Sequence, residues 1–200
     1  MTGLVYAFTG EGKGKTSAAL GVATRSLLNG ERVVWIAFYK QESWGLSEAK
    51  LRDKFENLEM KFVGKGFRII KPLHQSTIKP LKIAKVGDKG NVVVDTASED
   101  EHKLAAKMGL ELAAKNLQEK PFLLVMDEVL NAVDEGLITE KELLEVIKKR
   151  GETHLVITGR TGPFGSLPKG LMASVDLVTE CKKIKHPYDL GKLAVKGLDY

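Results

Sequence analysis

The chain has 200 residues, of which 43% are hydrophobic, with a formal net charge of +5 and a pI near 9.1. That is enough to build one sizeable core, and no apolar run approaches membrane-spanning length, so a helical membrane protein is excluded and one domain with a single insertion is expected over residues 1–200. A lone cysteine, Cys181, excludes an internal disulfide and fits a reducing cytoplasm, and the N-terminus lacks the basic, apolar and small-residue zones of a secretory signal.

An apolar strand, Leu4-Val5-Tyr6-Ala7-Phe8, leads into Thr9-Gly10-Glu11-Gly12-Lys13-Gly14-Lys15-Thr16 and then an alanine-rich helix starting near Lys15. Three glycines in five residues let successive N–H groups turn inward on an anion. The helix N-terminus adds a partial positive charge. Lys15 can reach along a polyphosphate, and the Thr16 hydroxyl can ligate a magnesium ion bridging phosphate oxygens. In the pattern of glycine, four residues and Gly-Lys-Ser/Thr, Thr9 stands where the first glycine is usual, and Gly10 and Gly12 supply the flexibility one residue displaced. A bare strand–helix turn needs neither Lys15 nor Thr16. The stretch from Thr9 to Ser17 is therefore read as a nucleoside-triphosphate loop, a P-loop.

The helix stripe Ala18, Ala19, Val22, Ala23, Leu27 and Leu28 closes at Asn29-Gly30, and Gly21 within it suggests close packing against a sheet. Residues Arg32 to Tyr39 form a nearly continuous apolar strand, as expected of a parallel sheet covered on both faces. Leu51, Phe55 and Leu58 recur at helical spacing after Ser47, and extended structure resumes at Met60 to Val63. Residues 61–90 carry eight basic side chains against Asp88 alone. With few aromatics and no accompanying motif, a solvated face explains these lysines better than nucleic acid does. From Gly64 to about Thr96 two prolines and a Val86-to-Val92 turn signal an inserted β-hairpin excursion, about 70–96.

Regular alternation then returns. Ser98 and Glu101 form a capping box for a helix carrying Leu104, Ala105, Met108, Leu112 and Leu117; Thr139 and Glu142 form another, ahead of Leu143, Leu144, Val146 and Ile147. Phe122 to Met126 is an apolar strand ending in Asp127-Glu128, His154 to Thr158 is a buried strand, and Val175 to Thr179 is the last, with Cys181 as a packing residue at its end. Strands alternating with helices give an α/β, doubly wound, mostly parallel sheet of the P-loop NTPase type. Its ligands bind at the carboxyl ends of strands, where the loop and Asp127-Glu128 both fall. Either carboxylate can hold a magnesium–triphosphate complex, and the spacing does not choose between them; a capping pair with Asn131 is the structural alternative. His74, His102, His154 and His186 have no metal-ligand spacing and no evident nucleophile partner.

The loop Thr9 to Thr16, the run Val125-Met126-Asp127-Glu128 with Asn131 and Ala132, the run Val156-Ile157-Thr158-Gly159-Arg160, and the tail Lys185-His186-Pro187-Tyr188-Asp189-Leu190-Gly191 with Gly197-Leu198-Asp199-Tyr200 together resemble the P-loop-type ATP:corrinoid adenosyltransferases. The resemblance covers roughly residues 3–68 and 97–200, and the tail is its most specific part. It implies a RecA-like fold, a homodimer, and transfer of the 5′-deoxyadenosyl group of ATP to the Co(I) of cobalamin or a related corrinoid, with release of triphosphate. It further implies magnesium or manganese on Thr16 and Glu128 or Asp127, catalytic roles for Lys15, Thr16 and Glu128, ligand contacts from Thr9, Gly10, Glu11, Gly12, Lys13, Gly14, Ser17, Arg160 and Phe67, and a reducing partner such as a flavoprotein. The family's tryptophan two residues beyond Phe67 is here Ile69, and Thr161 to Gly165 replaces a charged helix start. A cobalt nucleophile needs no protein base, whereas the leaving triphosphate needs charge stabilisation. Two other classes use the same loop. One is an ATPase in which Asp127 holds magnesium and Glu128 orients water to drive a partner; the other is a regulatory nucleotide-binding module, which leaves the tail unexplained.

Overall fold

The computed structural model describes residues 2–66, 97–161, 166–192 and 194–199. Phe67, Ile69 and the expected excursion at 70–96 lie outside the described residues. Six strands, β1 (Val5–Thr9), β2 (Val33–Ala37), β3 (Leu58–Phe62), β4 (Leu123–Asp127), β5 (His154–Thr158) and β6 (Leu177–Glu180), form one sheet in the order β3-β2-β4-β5-β1-β6. Every pairing is parallel, so the mostly parallel sheet expected is wholly parallel among the described residues. Among the described residues five α-helices accompany it: α1 (Lys15–Leu28), α2 (Glu99–Gln118), α3 (Val129–Asp134), α4 (Glu140–Lys148) and α5 (Lys169–Ser174).

The period of two along each strand sorts the core into two layers. Val5, Ala7, Val34, Ile36, Leu124, Met126, Leu155 and Ile157 face one layer, with residues of α2, α3, α4 and α5 packed over them. Phe8, Val33, Trp35, Ala37, Leu123, Val125 and Val156 face the other, against Ala19, Ala23 and Leu27 of α1. Both capping boxes are present, Ser98 with Glu101 at α2 and Thr139 with Glu142 at α4. By contrast α1 begins at Gly14 (φ 117°) with no side-chain cap. Its first-turn donors are left for a ligand.

Several local expectations are corrected. On α2, Leu104 and Met108 are 61% and 54% exposed, while Ala105, Ala106, Gly109, Leu110, Ala113 and Leu117 form the buried face. Small residues win because the helix lies so close to the sheet that a Cβ on Gly109 would stand 2.7 Å from the Phe38 ring. Gly21 faces open space, so no close packing requires it, and Leu28 is 71% exposed beyond the last buried turn. The helical spacing after Ser47 resolves into a 3-10 segment, Ser47–Asp53, while Leu58 opens β3 opposite Val33. Of the three apolar residues only Leu51 falls within that segment. Cys181 is half-buried and acts through its backbone: its N–H donates to the Thr9 carbonyl (2.7 Å) and its carbonyl accepts from Gly12 N–H (2.7 Å).

Candidate functional site: a cavity at the carboxyl edge of the sheet

The loop after β1 keeps its shape through what packs behind it. A Cβ on Gly10 or Gly12 would come within 2.6 Å of the Cys181 carbonyl, so glycine is required at both positions by the chain leaving β6. Gly10 and Gly14 also adopt positive φ, 102° and 117°. In front of the loop lies a cavity of about 620 Å³. Glu11, Gly12, Lys13, Gly14, Lys15, Thr16 and Ser17 form one wall; Glu128 and Arg160 stand at the ends of β4 and β5; Lys40, Trp44, Leu46, Glu48 and Leu51 form the opposite side; and His186, Ala194, Gly197, Leu198 and Asp199 come from the tail.

Within the loop, Lys15 is 8% exposed and its Nζ donates to the carbonyls of Gly10 (2.8 Å) and Gly12 (2.7 Å). Burial lowers its ammonium pKa, opposed in part by the charge of Glu128. Thr9 is buried, its Oγ1 2.9 Å from the Thr161 hydroxyl, so it supports the loop from behind. Lys13 reaches outward to an ion pair with Asp199 of the tail. Asp199 is held below the usual carboxylate range by that contact and by the Val195 N–H.

Because β5 lies between β1 and β4, the acidic pair meets the loop across a strand. Asp127 is fully buried, and its Oδ1 accepts from the hydroxyls of Thr158 (2.7 Å) and Thr16 (3.1 Å). Its Oδ2 accepts no well-directed hydrogen bond and faces the Lys40 ammonium at 3.0 Å. Glu128 caps α3 in a left-handed conformation (φ 66°), its N–H donating to Thr158 Oγ1 at 2.9 Å. The strained backbone turns its carboxylate into the cavity, where burial, reinforced by the charge of Asp127, pushes the pKa up to about 6. Asn131 donates to Glu128 Oε2 and accepts from the Arg160 N–H, so it ties the two cavity residues together, and α3 starts without a side-chain cap bond.

Of the residues singled out by sequence, Glu11 to Ser17, Glu128 and Arg160 share one cavity, whereas Thr9, Gly10 and Asp127 stand behind its wall and Phe67 is outside the described residues. Lys40, Glu48, Thr158 and the tail's Asp199 were not singled out for their contacts here. Thr158 had a legible signal, since it is a polar residue closing an apolar parallel strand, and Lys40 is the first charged residue beyond the end of another. Among the described residues no group of three or more His, Cys, Asp or Glu side chains could hold a metal, and no helix is long and apolar enough to cross a membrane.

The sequence profile described as ATP:corrinoid adenosyltransferase BtuR/CobO/CobP matches residues 1–200. The corrinoid adenosyltransferase of Salmonella typhimurium is 27% identical over 99% of this chain and 86% of its own length. Those of Escherichia coli (28%, over 99% and 86%) and Pseudomonas aeruginosa (29%, over 99% and 84%) are similar to the same extent. A match along the whole chain, on a parallel sheet whose loop, acidic strand end and tail meet in one cavity, makes this chain a member of the ATP:corrinoid adenosyltransferase family.

Proposed function

We propose that the protein transfers the 5′-deoxyadenosyl group of ATP to the Co(I) of a corrinoid, either cobalamin or a precursor. The observation that carries this reading is the convergence in one cavity of an uncapped helix N-terminus, Lys15, Thr16, Glu128 and Arg160. Such a set grips a triphosphate and stabilises it as a leaving group. The Co(I) electron pair forms the Co–C5′ bond while the C5′–O bond breaks, and its electrons pass to the triphosphate. Lys15, pinned beside the loop carbonyls, and the α1 N–H groups are placed to take up that charge.

The donors suit magnesium or manganese. A cavity-facing carboxylate and one hydroxyl are too few to bind a metal alone, so the remaining ligands would have to come from phosphate oxygens and water. Thr16 and Glu128 are the residues that would hold it, with Asp127 acting behind Thr16; the metal would supply charge neutralisation on the triphosphate. A cytoplasmic homodimer served by a flavoprotein-type reductant, built from one nucleotide-binding domain with the 70–96 insertion, completes the reading. Incubation with ATP, magnesium and chemically reduced cobalamin is expected to yield inorganic triphosphate and a light-sensitive cobalt–carbon bond. Formation of ADP and phosphate without corrinoid would replace this reading with hydrolysis.

A further inference from the structure

Lys40 follows the end of β2, and its side chain is only 11% exposed. Its ammonium lies between two carboxylates, 3.0 Å from Asp127 Oδ2 and 2.9 Å from Glu48 Oε1. Burial alone would lower its pKa, but Asp127 and Glu48 outweigh burial and hold it above the ordinary lysine value. This cation therefore fixes one oxygen of Asp127, which leaves the other, Oδ1, to accept the protons of Thr16 and Thr158. An ionised carboxylate only accepts. The Thr16 proton is thus committed to Asp127, and the lone pairs of the same hydroxyl are free toward the cavity that Thr16 lines.

We propose that Lys40 is a positioning residue for the metal–triphosphate complex. By holding Asp127 Oδ2, it orients Asp127, and through Asp127 it turns the Thr16 hydroxyl so that its oxygen faces a divalent cation. This deepens the nucleotide reading above and rests on it. The second contact, to Glu48, joins the same ammonium to the 3-10 segment Ser47–Asp53, so a purely structural role would be to hold that wall. The two roles separate through different partners.

The test measures ATP affinity of the full chain by calorimetry, with magnesium and with EDTA. In Lys40→Met the gain in affinity on adding magnesium is expected to shrink about tenfold, as for one misdirected contact to a charged group, while affinity in EDTA stays within about twofold. Asp127→Asn in the same chain keeps an oxygen acceptor for Thr16 without leaving a buried unpaired charge. The double variant is therefore expected to recover the magnesium gain to within about threefold of wild type, and it serves equally if Lys40→Met alone does not fold. Glu48→Gln is expected to leave the gain intact. The proposal is overturned if Lys40→Met keeps the full gain, if Glu48→Gln loses it as Lys40→Met does, or if the double variant recovers none of it, which would make Asp127 itself the metal ligand. A wild-type chain that bound no ATP in either condition would overturn the nucleotide reading together with this one.

Discussion

Two sides of the cavity, the loop and the tail, are held by different means. The loop wall is fastened from behind: β6 and the Cys181 backbone close on Gly10 and Gly12, Lys15 is tied to loop carbonyls, and Thr16 is tied to the buried Asp127. The tail is tied to the loop by the ion pair of Lys13 with Asp199, and its Leu190, Val195 and Leu198 are 68%, 54% and 77% exposed. Charge chemistry thus sits on a rigid frame. The tail side carries exposed apolar residues and a screened pair, which can yield to an incoming ligand at little cost.

Substitutions on the two walls should therefore differ in size. Lys15→Ala is expected to lower turnover on the order of 10²–10³-fold, because a preorganised donor to the leaving group is lost, while thermal unfolding still shows a folded chain. Steady-state assay and melting of the same preparation check this, and unchanged turnover would remove the loop from the site. Gly12→Ala drives a Cβ into the Cys181 and Lys182 backbone and should cost about 1–3 kcal/mol by denaturant titration. It should also weaken nucleotide binding, since the loop must shift off β6.

Acid should act on the loop side as well. Glu128 has a pKa of about 6 in the folded chain, so it is ionised above that value and metal-dependent ATP binding should fall as pH drops through 6. For stability the sign is reversed. A carboxylate whose folded pKa is raised favours the fold when protonated, so its contribution is present below the ordinary glutamate value and lost as pH rises through about 6. Glu128→Gln should flatten both profiles. The smallest effect is expected on the tail: Asp199→Asn should change stability by less than about 1 kcal/mol while making residues 194–199 more susceptible to limited proteolysis. An effect as large as that of Gly12→Ala would mean that the two walls are not held differently after all.

Sequence was most informative where a single residue type meets a single physical need. Gly-Lys-Thr at an uncapped helix start, the two capping boxes, and an apolar strand ending in Asp127-Glu128 could all be read directly. Faces were harder. Leu104 and Met108 outrank Ala105 and Gly109 in hydrophobicity, yet the distance from α2 to Phe38 selects the small side chains, and that distance is a tertiary quantity. The division of labour between Asp127 and Glu128 was equally hidden, because it depends on Thr158 and Lys40 arriving from two other strands. The glycines at 10 and 12 were legible as glycines but only partly in their reason. They accommodate the chain after β6 as well as an anion.

That last packing has a consequence for the order of events in the cell. The loop emerges from the ribosome before the surface that moulds it, residues 177–182, has been made. A nascent chain halted before β6 has the loop's amino acids without its backing. The loop therefore takes its final shape only once the sheet has been completed through β6.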